Sequence, residues 1–207
     1  MDIDLASLTP RDRYKLLCGV VIPRPIAWVT TCNPDGSTNL APFSFFNVFG
    51  ADPATVVLGL EHHPDGRPKD TTANIDRTGE FVVHILTPDL NEIMVESAAQ
   101  YAPGESETEA LGLATEPAAR VAPPRLCAAP VALECRKTVG LSLSPERCIL
   151  VGEALSLTAR DGLIDLDTCH VNWGDALPTA RLFADRYARL VESDRLTIPT
   201  RPERPDS

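Results

Sequence analysis

The chain contains no C-x-x-C pair, no G-x-G-x-x-G, no P-loop and no G-x-S-x-G. The first absence removes the usual ligand pairing of a zinc site, and no metal site is expected. The others remove the Rossmann fingerprint, P-loop phosphate binding and the nucleophile elbow. Basic residues are scarce, with 19 Lys and Arg against 29 Asp and Glu and a net charge of -10. That balance argues against nucleic acid or an anionic membrane as the main partner. It leaves room for one local basic pocket, which suits a phosphorylated small molecule. No apolar run approaches the roughly 20 residues that span a bilayer. The start, Met1-Asp2-Ile3-Asp4, is acidic and lacks a signal peptide's basic start and apolar core, so the expected location is cytoplasmic. In that compartment the six cysteines read as buried or idle thiols.

Among the 207 residues, 43% are hydrophobic and 23% charged, the composition of a soluble globular protein. Thr9-Pro10 is a helix start, a hydroxyl cap before a first-turn proline, and Gly19 is its stop. Val20 to Thr31 reads as a strand, and Asn33-Pro34-Asp35-Gly36 as a hairpin turn. Asp52-Pro53 marks another turn. Thr55–Glu61 and Glu80–Leu86 read as strands, as do Val131–Leu141 and Cys148–Arg160. Helices are predicted to start within Lys69–Ile75 with Asp70 or Thr71 as cap, and to lie over Leu90–Gln100, near Glu105–Leu111 and over Leu177–Val191. This order implies a mainly β architecture with helical insertions, an antiparallel barrel rather than regular βαβ units. A single domain over 1–197 is expected, with an extended or disordered tail at 198–207.

Three stretches carry candidate chemistry. Asn39-Leu40-Ala41-Pro42-Phe43-Ser44 is a polar, proline-broken strand arm. One reading is an edge strand with a bulge at Pro42. The other is a backbone that leaves the ladder to face a planar heteroaromatic ligand, with Asn39 and Ser44 as polar side chains and Ala41 allowing close approach. Lys69-Asp70-Thr71 opens a helix, where free N–H groups, an ammonium and a hydroxyl suit an anion. Asp70 is discordant there unless it turns away; a plain capped helix is the alternative. Arg24, held between Pro23 and Pro25, is a further basic candidate or an ordinary surface arginine. Among the histidines, His84 reads as a satisfied core residue. His170, near Asp165, Asp167 and Trp173, is the one acid/base candidate.

Taken together, YKLL at 14–17, PRPIAWVTT at 23–31, NLAPFSFFN at 39–47, KDTTANI at 69–75 and EFVVHIL at 80–86 resemble the flavin reductase-like family of FMN-binding split barrels. The likeness covers roughly residues 10–195. It implies a split β-barrel, FMN as cofactor (FAD is possible) and NAD(P)H as co-substrate. By the resemblance, Thr30 and Thr31 line the flavin site, and Asn39, Ala41, Pro42, Phe43 and Ser44 wrap the ring and ribityl chain. Lys69, Asp70 and Thr71 lie near the phosphate, while Arg181 and Tyr187 match a C-terminal pattern. A homodimer and a partner monooxygenase are further implications. The chain departs from relatives at His84, where asparagine is common, and at Leu182-Phe183-Ala184-Asp185, which replaces a glycine-rich stretch. It also lacks a histidine after Gly152-Glu153. The expected activity is hydride transfer from nicotinamide to flavin N5. The alternatives are an FMN-bound electron carrier or oxidoreductase acting on an organic substrate, and a non-catalytic ligand-binding dimer.

Overall fold

The computed structural model describes residues 1–198. From residue 199 on, the predicted tail lies outside the described residues. The elements are α1 (Pro10–Val20), β1 (Arg24–Pro25), β2 (Ala27–Cys32), β3 (Thr38–Phe43), β4 (Phe46–Ala51), β5 (Ala54–Glu61), α2 (Asp70–Thr78), β6 (Glu80–Ile85), α3 (Asn91–Glu96) and α4 (Glu107–Ala110). They continue with β7 (Thr115–Glu116), β8 (Arg125–Leu126), β9 (Val131–Ser144), β10 (Arg147–Ala159), β11 (Ile164–Asp165), β12 (His170–Val171), β13 (Ala180–Arg181) and β14 (Tyr187–Ala188). Seven strands form one antiparallel sheet in the order β3-β2-β6-β9-β10-β5-β4. Its two edge strands, β3 and β4, are consecutive in the chain and joined only by Ser44 and Phe45. The sheet must therefore curl until its edges approach. The edges stay unpaired with each other, which makes a split β-barrel.

Alternation decides what fills it. Ala27 and Val29 of β2, Val56, Leu58 and Leu60 of β5, Phe81 and Val83 of β6, Cys135 of β9 and Leu150 of β10 form the interior cluster, with Ile75 of α2. The opposite faces of β2 and β3 place Trp28 and Leu40 against Met94 of α3 and Leu126 of β8. Trp28 Nε1 donates to Ser97 Oγ at 2.9 Å, so the buried indole leaves no unmet donor. Among the described residues no helix is long and apolar enough to cross a membrane.

His84 lies on this second face and is fully buried. Its Nδ1 is 2.8 Å from the Trp28 carbonyl, and its Nε2 is 2.9 Å from the Leu126 N–H. A carbonyl only accepts and an amide N–H only donates, so the ring is neutral with its proton on Nδ1. Burial, opposed by the Trp28 carbonyl and reinforced by Arg125, brings its pKa from 6.5 down to about 4. The unfolded chain takes up a proton near 6.5 and the folded one only near 4. His84 thus contributes stability that is full above pH 6.5 and is lost as pH falls to about 4, about 3 kcal/mol in all. Urea melts between pH 7 and 4 should show this slope. His84→Gln should flatten it, and an equal slope in the variant would refute the assignment.

Three local expectations are corrected. The strand expected from Val20 starts only at Arg24, because α1 continues through Gly19 to Val20. The cap of α2 is Lys69, without a side-chain bond, instead of Asp70 or Thr71. The helix expected over Leu177–Val191 is instead the β13–β14 hairpin, paired with β1 through Arg24↔Arg181 and Pro25↔Ala180. There, pairing with a distant segment outweighs a helical apolar period, and Ala184 at φ 57° closes the turn.

Candidate functional site

The hairpin turn at Asn33–Gly36 sends β3 back along β2 in unbroken register from Cys32↔Thr38 to Ala27↔Phe43. The backbone at 39–43 therefore stays in the ladder and turns away only at Ser44, which corrects that reading. Pro42 fits because it shares the parity of Leu40, whose N–H points to the outer edge, so no ladder bond is lost. Helix α2 closes the barrel beside β2 and β3, burying Thr71, Thr72, Asn74 and Ile75. Asn39 Nδ2 donates to Thr31 Oγ1 at 3.0 Å and to Thr71 Oγ1 at 2.9 Å. Asn74 Nδ2 donates to the same Thr31 oxygen at 3.1 Å and to Asn33 Oδ1 at 2.8 Å. Two strands and a helix start are thus locked through one buried polar network.

The start of α2 keeps free donors. Helical bonding begins with Ala73 N–H to Lys69 O at 2.9 Å, and Lys69 supplies no side-chain cap. Among the described residues nothing accepts from the amides of Asp70, Thr71 or Thr72. Asp70 turns away, its Oδ2 accepting from Gly104 N–H at 3.1 Å, which removes the repulsion a carboxylate would present to an anion. The Lys69 ammonium lies 3.6 Å from Glu61, whose other oxygen pairs with Arg147 at 2.5 Å. The Arg147 guanidinium sits 5.7 Å from the ring centres of Tyr14 and Phe45. Cationic and aromatic groups therefore gather where β3 gives way to β4.

Other predicted residues serve the scaffold. Thr30 is sealed on the outer face of β2, donating to the Pro124 carbonyl at 2.7 Å. Thr31 and Asn39 are buried in the network, so they position neighbours instead of presenting side chains. Arg24 donates through Nη1 to the carbonyls of Cys18 and Val21 and through Nη2 to that of Leu182. It ties α1 to the C-terminal hairpin and is buried, not a surface arginine. Ala41 and Pro42 are half-buried, Phe43 packs on the interior cluster, and Ser44 lies 3.5 Å from Arg24 Nε. Arg181 donates to the Tyr187 hydroxyl and the Ala184 carbonyl, clasping its own turn. His170 stands exposed on the β11–β12 hairpin with no side-chain hydrogen bond among the described residues. An apolar groove of about 360 Å³ beside β4, β5 and β10, including Val48, Val56, Leu133 and Leu157, holds none of the predicted residues.

Sequence reasoning missed Asn33, Asn74 and the segment 104–108. The Ser106 cap of α4 was visible in principle as Ser106-x-x-Glu109, and its Oγ does accept from Glu109 N–H. The carboxylate of Glu107 on Leu40, 67 residues away in sequence, left no local signal.

Known proteins share the fold of the whole chain. The chain is 35% identical to the 2-nitrobenzoate 2-nitroreductase of Pseudomonas fluorescens, covering 97% of each chain with a TM-score of 0.87. It is 31% identical to nitrilotriacetate monooxygenase component B from Bacillus cereus, covering 95% of this chain and 98% of that one with a TM-score of 0.90. An uncharacterised protein of Deinococcus radiodurans is 42% identical over 82% of this chain and 76% of its own length. Residues 20–167, which hold β2, β3 and α2, match the flavin reductase like domain, and the chain belongs to that family.

Proposed function

We propose that this chain binds FMN between the Ala41–Phe43 end of β3 and the N-terminus of α2 and works as an NAD(P)H:flavin oxidoreductase. The observation that carries the reading is the 2.9 Å bond from Asn39 to Thr71, which holds the ring wall and the phosphate end at one place. The residues present fit the cofactor. Three unpartnered amides at the start of an α-helix suit a phosphate, and Lys69 adds charge. Small Ala41 allows a ring to approach β3. The chemistry a bound FMN supplies is acceptance of a hydride at N5 from C4 of a reduced nicotinamide, which leaves oxidised. The chain's share is to bind, orient and shield. His84 is sealed in the core and His170 stands in solvent, so neither is placed to move a proton.

Turnover of NADH and NADPH with FMN, FAD and riboflavin tests the reading. A purified protein that takes up no FMN would sink it. Tight FMN without turnover of free flavin favours a second reading, an FMN oxidoreductase acting on an organic substrate. The likeness to a nitroreductase at 35% identity supports that alternative. Likeness to a monooxygenase component B supports delivery of reduced flavin to an oxygenase. We also propose a homodimer, because Val48, Phe49 and Leu157 lie exposed at the apolar groove. Sedimentation as a monomer at micromolar concentration counts against it.

Lys69→Ala should weaken FMN about three- to tenfold and riboflavin far less. The ammonium is half exposed and shared with Glu61, which limits the effect. Equal losses for both flavins would show that Lys69 does not face the phosphate.

A further inference from the structure

The segment 104–108 touches both elements of the proposed site, β3 and the start of α2. Gly104 N–H donates to Asp70 at the start of α2. Ser106 Oγ donates to the Thr38 carbonyl at 2.7 Å, and Glu107 Oε2 accepts from the Leu40 N–H at 2.7 Å. Both contacts fall on the outer edge of β3, which no other strand pairs. Side chains of one loop thus take the place of a neighbouring strand. The means are unusual: Glu107 is 7% exposed, and no cation lies within ion-pair distance of it among the described residues. Burial, with Asp70 and Glu105 nearby and the Leu40 N–H opposing, holds its carboxyl above the usual range. An unpaired buried carboxylate is a poor way to gain stability. The bond from the Leu40 N–H offsets part of that cost and fixes the strand edge at this point.

We propose that Glu107 is a positioning residue for the flavin wall, fixing β3 at Leu40 while its loop tethers the start of α2 through Gly104 and Asp70. The inference rests on the FMN reading above. Glu107 acts through the β3 backbone and need not touch the ligand. Losing it frees the strand edge that precedes Ala41 and Pro42. Because the effect falls on the ring wall, it should weaken FMN and riboflavin alike, unlike loss of Lys69.

The test is titration of wild type, Glu107→Ala and Glu107→Gln with FMN and riboflavin, well below the melting temperature. Visible circular dichroism of the bound flavin and amide exchange at Leu40 are read alongside. Glu107→Ala should raise both dissociation constants about tenfold, the effect of one charge-assisted hydrogen bond. It should also change the dichroism and expose the Leu40 amide. Glu107→Gln keeps an acceptor and should stay within about threefold of wild type by the same measure. A folded alanine variant with wild-type constants overturns the proposal, as does glutamine damage equal to that of alanine. If Glu107→Ala does not fold, Ser106→Ala, which removes the Thr38 contact together with the bonds to Thr108 and the Glu109 N–H that cap α4, should weaken both flavins at least about threefold. No change there overturns the proposal. A wild type that takes up no FMN overturns the flavin reading and this inference with it.

Discussion

Asn39→Leu should cost the fold about 3 kcal/mol and weaken FMN at least about tenfold. Leucine keeps the branching and heavy-atom count of asparagine but carries two bulkier methyls, so some overpacking adds to the lost hydrogen bonds. Asn39 is 3% exposed, and its amide reaches hydroxyls on β2 and α2 together. Thr31 keeps a second donor in Asn74, but Thr71 loses the one donor it has among the described residues. Two lost bonds at about 1 kcal/mol each, plus a buried oxygen left unmet, give the expected total. With that bond gone, the amides of Asp70 to Thr72 are no longer held beside the ring wall. Urea melts measure the first effect and fluorescence titration with FMN the second. Wild-type melting would show that the network adds little to stability. Unchanged FMN affinity would separate the network from the site.

Gly152→Val should lower stability by more than about 3 kcal/mol, beyond the usual range for overpacking, and depress the melting temperature by about 10 °C. A Cβ at Gly152 would stand 2.6 Å from Cζ and 3.0 Å from Cε1 of Phe81, with the Arg136 carbonyl at 3.3 Å. Phe81 is fully buried in the barrel interior, so its ring has nowhere to go. Gly152→Ala should be milder, and combining it with Phe81→Leu should recover part of the loss, as a double-mutant cycle would measure. Gly59 offers the contrast. Its added Cβ would meet Phe45 Cβ at 2.8 Å, but Phe45 lies at the open seam and is 38% exposed. Backbone there can yield, so Gly59→Ala should cost less than Gly152→Ala. The reverse order in thermal melts would contradict the packing argument.

Local chemistry explains what was legible in the chain. The start of α1 follows from Thr9-Pro10, and its Thr9 side chain does accept from Asp12 N–H. The hairpin follows from Asn33-Pro34-Asp35-Gly36, where Gly36 takes φ 91°. The strands β5 and β6 follow from short β-branched runs. Each of these depends on residues within a few positions of one another. The site was half legible in the same way. Lys69-Asp70-Thr71 could be read as a helix start with free amides, whereas the destination of Asp70 could not, because Gly104 lies 34 residues away. Arg24 looked available because proline neighbours say nothing about carbonyls contributed by α1 and the C-terminal hairpin.

By itself the sequence determined the strands β5, β6, β9 and β10, the hairpin turn at Asn33–Gly36 and the net negative charge. Through the order of its motifs it also determined the family. These depend on backbone propensity, side-chain period and summed charge, all of which act locally or simply add. Only the tertiary structure decided which polar groups remain free. Thr30, Thr31, Asn39 and Arg24 all look like ligand contacts in a linear reading, and each finds a partner inside the protein. A buried donor must be satisfied, and its nearest acceptor is set by the curl of the sheet and the docking of α2, not by chain proximity. Among the described residues, the first amides of α2 are donors that the fold leaves without a partner.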